Sequence, residues 1–421
     1  MQNNLNKIDQ KSKVLFKNTV MLYAMQFSTY LFSFITVPYQ TRVLKPELYG
    51  RLGVAVAMMT YFQLFMDFGF LLSATEDVSK NRDDKNYICA RITSVAVIKL
   101  IFMGISCLVM LVLCFTVPVV SEDKTLYFLY LLAYAVNSFL PDYIYRGLEK
   151  MTAVTIRTLI IKFFFCIMIF VFLKKPSEYL LVPLMLLIGN IGAVVGAYIH
   201  LFKTMGYRFV KVTISDIRRD LKRSSFFFYS KIASTVYTAT NTVILGMIDQ
   251  SNTTTGFYTA ADRGVSTAKS AFFPISDSLY PYMIRNRDFK IVKKILMIAM
   301  PILILGCGIV FVFAEPLCVL IFGKEYAPTA TVLRMFIPGV IAIFPRYILS
   351  YPTLGAMGIS KYANYAMFIG MAVHLAGLVI MALFGAISAV TLAAMTSISE
   401  WAVLIYIICI IIKNARLMPK S

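Results

Sequence analysis

Residues 201–224, LFKTMGYRFVKVTISDIRRDLKRS, form the longest basic segment of the chain and interrupt a series of apolar blocks. A helix that crosses a bilayer needs about 20 largely apolar residues, and six blocks of this kind precede the segment while six follow it. They start near residues 14, 48, 92, 125, 151 and 179, and then near residues 225, 256, 295, 330, 362 and 387. The pattern predicts an all-α integral membrane protein with twelve transmembrane helices: a first six-helix lobe over 1–203, a basic linker over 204–223 and a second six-helix lobe over 224–421.

The composition excludes a soluble globular protein. Of the 421 residues, 59% are hydrophobic and only 15% are charged, and the mean hydropathy is +0.74, whereas charged residues make up about 25% of soluble domains. The net charge of +20 is spread between the apolar blocks and is not gathered on one surface. We therefore expect no nucleic-acid partner.

The positions of the basic residues predict the orientation in the membrane. If the chain changes side at each span, 25 of the 41 lysines and arginines fall on the side of the amino terminus and seven on the other side. Because basic loops face the cytoplasm, we expect both termini to be cytoplasmic. Six is an even number, so both lobes begin on the same side, as in the parallel repeats of many transporters.

Two predicted spans of the second lobe contain charged residues. At 100° per residue, each charge shares a helix face with hydroxyl side chains. One face consists of Lys231, Ser234, Thr235, Thr238 and Thr242, and the next of Thr259, Asp262, Ser266 and Lys269. Because a charge at the centre of a bilayer costs about 2.5–3.5 kcal/mol, we expect these faces to line a water-filled cavity.

Polar faces recur in the first lobe. Span one has a face of Asn18, Gln26, Thr29, Ser33 and Thr36, and span two has one of Thr60, Gln63 and Asp67. Span five has a face of Thr155, Thr158 and Lys162. We therefore expect the first two helices of each lobe to line a common cleft, with span five as a third wall.

Two other interpretations of these faces stay open. Serine and threonine often form hydrogen bonds across helix interfaces in membranes, and Lys269 can form a closed ion pair with Asp262, one to two turns away. Other charges in the spans carry less information: Lys99 has no obvious partner, nothing polar near Glu400 supports a role for it, and Arg157 is expected to extend to the headgroups.

The sequence contains no catalytic or metal-binding motif. Its seven cysteines include no CxxC pair and it has only two histidines, so no metal site is predicted. The motifs GxxxxGK[ST], GxGxxG, HExxH and GxSxG are absent. We therefore expect a protein that is not an enzyme and that has no cofactor.

Short motifs distributed along the chain carry a family resemblance. They are, in order, PYQTRVL (38–44), LYG (48–50), DFG (67–69), SATEDVSKNRDDK (73–85), GLE (147–149), TGFY (255–258), AAD (260–262) and LYP (279–281). Through most of its length the chain resembles the polysaccharide flippases of the multidrug/oligosaccharidyl-lipid/polysaccharide exporter superfamily. One departure is Lys45, where the family commonly has glycine.

This resemblance implies two lobes arranged in a V around a central cationic cavity, lined by helices one, two, seven and eight. It also implies a function, the translocation of polyprenyl-pyrophosphate-linked oligosaccharide repeat units of O-antigen or capsule by alternating access. The units would move from the cytoplasmic to the outer leaflet of the bacterial inner membrane. The implied partners are this lipid-linked oligosaccharide, the lipid bilayer, a polysaccharide polymerase and a chain-length regulator.

The polar residues provide a hypothesis for how such a substrate is bound. We expect basic side chains to attract the pyrophosphate and polar side chains to surround the sugars. The basic residues are Lys231, Lys269, Arg263, Lys162 and Arg42, and the polar ones include Asn18, Gln26, Thr238 and Ser266. In the absence of a nucleotide motif, the energy is expected to come from the membrane potential or from coupled H⁺ or Na⁺, with Asp67 and Asp262 as the candidate carboxylates.

Two other classes of protein stay open. A cation-coupled small-molecule or drug antiporter of the same fold would concentrate carboxylates in its cavity, whereas the faces here are mostly cationic and hydroxyl. A membrane-embedded glycan polymerase or acyltransferase would carry a long outer loop with catalytic residues, whereas the predicted outer segments, such as SEDK (121–124) and KKPSE (174–178), are short.

Overall fold

A computed structural model describes the backbone of residues 2–417. Side chains are described from residue 20 to residue 416, apart from those of residues 22, 30, 230, 233, 234, 236–238, 273 and 281. Within this part of the chain every regular element is helical, which confirms the predicted all-α class.

Fifteen α-helices make up the described fold. They are α1 (Gln2–Asp67), α2 (Phe70–Lys80), α3 (Lys85–Thr116), α4 (Pro118–Ser121), α5 (Lys124–Ser138), α6 (Asp142–Gly147), α7 (Met151–Phe172), α8 (Leu181–Ile199), α9 (Ile214–Ile248), α10 (Thr253–Asn286), α11 (Phe289–Val312), α12 (Ala314–Phe322), α13 (Thr329–Ile348), α14 (Lys361–Leu383) and α15 (Ala389–Lys413). Single turns of other helix types lie at Pro176–Glu178, His200–Thr204, Lys324–Tyr326, Leu349–Leu354 and Ala415–Leu417.

Eight helical runs among the described residues are long and apolar enough to cross a membrane. They are Tyr23–Lys80, Lys85–Thr116, Met151–Phe172, Pro176–Thr204, Phe289–Val312, Thr329–Leu354, Lys361–Leu383 and Ala389–Lys413. The first run combines two predicted spans. With 35 and 34 residues, α9 and α10 are also long enough to span, but their polar faces lower their hydropathy. The helix α5, with 15 residues, is shorter than a typical span. The number twelve therefore stays a prediction.

The chain divides into two compact units. The first consists of Met1–Thr36 and Met58–Ile232, and the second of Val37–Ala57 and Ala233–Ser421. The middle of α1 thus belongs to the second unit, and the beginning of α9 belongs to the first. Within the second unit, α13 packs along α15 and against α10, and the core there contains Tyr258, Phe336 and Leu392.

A break in α1 separates the first two predicted spans. Lys45 has a φ of 62° and a ψ of 169°, a conformation that residues other than glycine rarely adopt. Pro46 follows directly, where its missing amide hydrogen has little effect because the first residues of a helix have no intrahelical acceptor. The chain therefore turns at the position where the family commonly has glycine, and the Lys45 ammonium pairs with Glu325 at 3.1 Å.

In the second unit, residues 37–57 of α1 approach α10 very closely. A Cβ atom at Gly50 would lie 2.0 Å from the carbonyl oxygen of Asn252, and one at Gly256 would lie 2.0 Å from that of Pro46. Backbone atoms cannot move aside as a flexible side chain can. Glycine is therefore required at both positions for the two helices to pack at this distance.

Replacing Gly256 with alanine is expected to destabilise the protein by about 1–3 kcal/mol or more, because the new methyl group overlaps the α1 backbone. Gly306→Ala in α11 is the matched control, since nothing lies within 4 Å of a Cβ atom at that position. The control should be neutral or slightly stabilising, because alanine favours a helix. The check is the thermal unfolding midpoint in detergent, and equal midpoints for the two variants would contradict the packing described above.

A buried ion cluster anchors the first turns of α9 in the first unit. Arg91 of α3, whose side chain is 0% exposed, forms ion pairs with Asp77 of α2 and Asp220 of α9. Arg223 of α9 adds a contact of 2.6 Å to Asp77. We call these four residues the Arg91 cluster. The linker predicted over 204–223 is therefore helical from Ile214 onward, and that helical part packs as a member of the first unit.

Candidate functional site

In the second unit, α10 carries four of the predicted cavity residues within about two turns. Arg263 is exposed, whereas Asp262, Ser266 and Lys269 are half-buried. The Asp262 carboxylate makes no hydrogen bond or ion pair with any described residue, although Lys269 and Arg263 are near enough to act on it electrostatically. The closed pair between Lys269 and Asp262 is therefore not formed.

Lys269 contacts a carboxylate from α15 instead. Its Nζ lies 3.8 Å from Oε1 of Glu400, and Oε2 of the same carboxylate lies 3.2 Å from Nε of Arg346 on α13. The Glu400 side chain is 2% exposed, that of Arg346 8% and that of Lys269 19%. The expectation that nothing polar lies near Glu400 is wrong, because its partners come from helices that are distant in sequence. In this group, the Glu400 cluster, two cations share one carboxylate, which leaves a net positive charge.

A second polar group lies in the same unit and is fully hydrogen-bonded. The buried His374 of α14 lies with Nδ1 3.0 Å from Oγ of Ser399 and with Nε2 2.9 Å from Oδ1 of Asn241. Asn241 also donates to the hydroxyls of Tyr258 and Thr396, each at 3.0 Å. The network joins α9, α10, α14 and α15, and we assign it to holding these helices together because its polar atoms satisfy one another.

Arg42 lies in the part of α1 that belongs to the second unit. Its side chain is exposed, and its guanidinium donates a hydrogen bond to the carbonyl oxygen of Leu320 in α12. A guanidinium has five N–H donors, so this contact orients Arg42 and leaves further donors for a ligand.

The first unit contains a polar cavity of about 510 Å³. Its walls come mainly from α1, α5 and α7, with smaller contributions from α2, α3, α6 and α8. The predicted polar residues that line it are Ser33, Thr36, Gln63, Asp67, Thr158 and Lys162. Thr155 was expected in the same wall, but it is buried and donates a hydrogen bond of 3.0 Å to the carbonyl oxygen of Met21.

Two charges that were interpreted as unpaired in the sequence have partners here. Lys99 lies 3.4 Å from Oδ1 of Asp67 and donates to the carbonyl oxygen of Ser138, so the expectation that it lacks a partner is wrong. Arg157 forms an ion pair with Asp142 and is only 13% exposed, so it does not extend toward headgroups. Both pairs join different helices, which helical spacing within one segment does not reveal.

The other predicted site residues are not gathered into one place within either unit. Lys231 is exposed on the part of α9 that belongs to the first unit, and Gln26 is half-buried on α1 without lining the cavity. Lys162 lines the cavity and makes no hydrogen bond or ion pair with the described residues. The side chains of Asn18 and Thr238 lie outside the described part of the chain.

Chemically, the two units offer groups for an anionic, hydrogen-bonding ligand. The Glu400 cluster and Arg42 present cations, which bind phosphate or carboxylate oxygens strongly, and the cavity of the first unit presents amides and hydroxyls. In the part of the chain that the structure describes, no group of three histidine, cysteine, aspartate or glutamate side chains is placed to hold a metal ion.

Comparison with known proteins identifies the family. A family model described as "Polysaccharide biosynthesis protein" matches residues 15–287. A protein of Shigella dysenteriae named "Putative O-antigen transporter" is 28% identical over 369 residues, which cover 85% of this chain and 91% of the relative. A protein of the same name from Escherichia coli (strain K12) is 24% identical over 295 residues, which cover 70% of each chain.

Solved structures share the fold. Lipid II flippase MurJ in an inward closed conformation matches with a TM-score of 0.74 at 14% identity, over 96% of this chain and 90% of that one. An inward-facing multidrug resistance MATE family transporter of the MOP superfamily matches with a TM-score of 0.72 at 13% identity, over 96% and 99%. These matches confirm the predicted two-lobe membrane fold. Because the family model also covers more than half of the sequence, the chain belongs to the polysaccharide biosynthesis protein family of membrane transporters.

Proposed function

We propose that this protein is a flippase that moves polyprenyl-pyrophosphate-linked oligosaccharide repeat units, of an O-antigen or a capsule, by alternating access. The units pass from the cytoplasmic to the outer leaflet of the bacterial inner membrane, in which both termini of the chain face the cytoplasm. A polysaccharide polymerase and a chain-length regulator act on the glycan after it has crossed. The family match and the names of the relatives support this proposal.

The observation that carries the proposal is the Glu400 cluster. Lys269 and Arg346 share one carboxylate there, and both α13 and α15 lie in runs apolar enough to cross a membrane. A cation in such surroundings is weakly screened by water. It therefore attracts an anionic group such as a pyrophosphate more strongly than a surface lysine would.

The sugars of the oligosaccharide need hydrogen-bond partners that replace water while they cross. A hydroxyl that loses its water without finding a partner costs roughly 2–7 kcal/mol, and a bare charge costs far more. An oligosaccharide with many hydroxyls therefore cannot cross hydrocarbon unless the protein replaces the water around it. Polar side chains such as Gln63 and Thr158 are suited to this role, while the polyprenyl tail stays in the lipid.

The membrane potential supplies a driving force without ATP. An inside-negative potential favours outward movement of an anion by about 2.3 kcal/mol per charge per 100 mV, and the pyrophosphate carries more than one negative charge. Coupling to H⁺ or Na⁺ adds to this force. We assign that coupling to Asp262, which has no ion-pair partner among the described residues, in preference to Asp67, which pairs with Lys99.

Deletion of the gene tests the proposal. Intact spheroplasts of the deletion strain are expected to keep the lipid-linked oligosaccharide in the cytoplasmic leaflet, where a glycosidase added outside cannot cleave it. Reintroducing the wild-type gene should restore cleavage. In lysed spheroplasts the glycosidase reaches both leaflets, so the amount cleaved there is the maximum with which the intact samples are compared. Equal cleavage in intact spheroplasts of the deletion and wild-type strains would overturn the proposal.

A drug antiporter of the same fold is the second candidate. It is favoured by the match to the MATE transporter, whose TM-score is close to that of the flippase, and by Asp262 as a carboxylate available for cation coupling. The deletion strain would then become more sensitive to cationic drugs, while its lipid-linked oligosaccharide would be cleaved from outside as in the wild type. Inhibitory concentrations measured on the same strains separate the two functions.

A further inference from the structure

The cavity in the first unit has the size of a ligand site. Its volume of about 510 Å³ lies within the range of roughly 300–1,000 Å³ that is typical of small-molecule pockets. Every residue that lines it belongs to the first unit. The cavity is therefore formed by this unit alone.

Several polar groups in the cavity wall have no hydrogen-bond partner among the described residues. Gln63, Asn137 and Thr158 line the cavity with side chains that form no hydrogen bond to the described residues. These side chains are half-buried at the cavity wall, so their amides and hydroxyl are available to form hydrogen bonds with a ligand in place of water. Amides both donate and accept hydrogen bonds, as sugar hydroxyls do, so these three side chains match a sugar ring.

The same wall provides apolar surface between the polar groups. The aromatic rings of Phe32, Tyr134 and Phe165 line the cavity. A sugar ring presents C–H groups on its faces and hydroxyls at its edge, so it fits a site that alternates aromatic rings with amides. Free phosphate, which has only oxygen atoms at its surface, would leave these rings without contact.

The charges in the wall limit the ligand further. Asp67 is paired with Lys99, and Asp142 is paired with Arg157. Lys162 is the one lining charge, among the described residues, whose ammonium has no ion pair. A pyrophosphate would bring at least two negative charges next to two carboxylates and a single uncompensated cation, whereas one carboxylate on a sugar would balance Lys162.

We propose that this cavity is a sugar subsite for an acidic monosaccharide of the transported glycan, with the sugar carboxylate paired to Lys162. The inference rests on the proposed function and deepens it, since it assigns the chemical class of one sugar in the repeat unit. It also separates the roles of the basic residues. Lys162, which was expected to attract the pyrophosphate, binds the glycan instead.

Calorimetric titration of the full chain in detergent micelles tests this assignment. The probes are two farnesyl-pyrophosphate-linked disaccharides, one ending in glucuronic acid and the other in glucose, together with farnesyl pyrophosphate alone. The wild type should bind the acidic disaccharide about tenfold more tightly than the neutral one, as expected for one hydrogen-bonded charge pair. Lys162→Met should bind both disaccharides with the affinity of the wild type for the neutral one.

Two further variants keep the result interpretable. Lys162→Arg retains the charge and should keep the preference for the acidic disaccharide, whether or not the methionine variant folds. Lys124→Met removes an exposed lysine at the start of α5 and should change neither affinity.

Each contrary outcome has a distinct meaning. If the wild type binds both disaccharides equally well, the acidic-sugar assignment is overturned while the flippase proposal stands. If Lys162→Met weakens all three probes to the same extent, Lys162 serves the pyrophosphate and the assignment is again overturned. If the wild type binds none of the probes, the proposed function itself fails, and the subsite fails with it.

Discussion

Replacing Arg91 with methionine is expected to lower the free energy of unfolding by up to about 3–5 kcal/mol, because it removes the fully buried cation shared by two carboxylates. Asp77 then keeps only Arg223 and Asp220 only Arg219, and these arginines are 41% and 43% exposed. The Asp77 and Asp220 side chains are 1% and 0% exposed. The measurement is thermal unfolding in detergent, followed with a thiol-reactive dye. Cys89 and Cys114 are only 4% and 3% exposed, so they become available to the dye as the first unit unfolds.

Arg82→Met is the matched control for this prediction. Arg82 also pairs with a carboxylate of the first unit, that of Glu149 at 2.9 Å, but the two side chains are 41% and 53% exposed. An exposed pair of this kind contributes about 0–1 kcal/mol. Adding Asp220→Asn to Arg91→Met should recover part of the lost stability, since it removes a buried carboxylate that only the half-exposed Arg219 still balances. Equal unfolding midpoints for Arg82→Met and Arg91→Met would contradict a structural role for the Arg91 cluster.

The helical part of the basic segment, which carries two residues of the Arg91 cluster, could have been predicted from the sequence. Residues 201–224 are basic, so they predict a solvated linker. However, Ile217, Asp220, Leu221 and Ser224 follow helical spacing, and Ile217 and Leu221 pack against the core of the first unit. A helix face that mixes apolar residues with one aspartate is typical of a buried ion pair rather than of a flexible linker.

The helices themselves could be predicted because each apolar block carries its own signal. A run of about 20 apolar residues indicates a span regardless of what surrounds it. The departure from glycine at Lys45 put the local turn in doubt, and the structure keeps the turn by giving this lysine a positive φ of 62°. The apolar blocks are local features, and so the sequence alone was sufficient to locate them.

The ion pairs could not be predicted in this way because their members come from different helices. Helical spacing placed Lys269 and Asp262 on one face of α10, which left open that they form an ion pair. The structure instead pairs Lys269 with Glu400 of α15, which no periodicity within α10 can indicate. Lys99 and Asp67, on α3 and α1, illustrate the same limit.

Neutralising Lys231 and Lys269 together is expected to reduce flipping at least about hundredfold, because a hydrogen bond to a charged group is worth about 1.5–3 kcal/mol and the double variant removes two donors. The measurement is the initial rate at which the lipid-linked oligosaccharide becomes cleavable from outside, in spheroplasts of the deletion strain that carry equal amounts of each variant. Lys293→Met with Lys294→Met, on the exposed start of α11, removes the same total charge and should leave the rate unchanged. Wild-type flipping by the Lys231/Lys269 variant would show that the cationic hypothesis is wrong.

The Glu400 cluster allows the effect of charge to be separated from that of pairing. Lys269→Met leaves Glu400 paired with Arg346, so the cluster becomes neutral while one ion pair is kept. Glu400→Gln instead makes the cluster more positive and breaks both of its ion pairs. If the cluster acts by attracting pyrophosphate, Lys269→Met lowers the affinity for farnesyl pyrophosphate, whereas Glu400→Gln keeps or raises it, provided that both variants remain folded. Equal losses in the two variants would mean that the ion pairs hold α10, α13 and α15 in place, and that their charge does not bind the substrate.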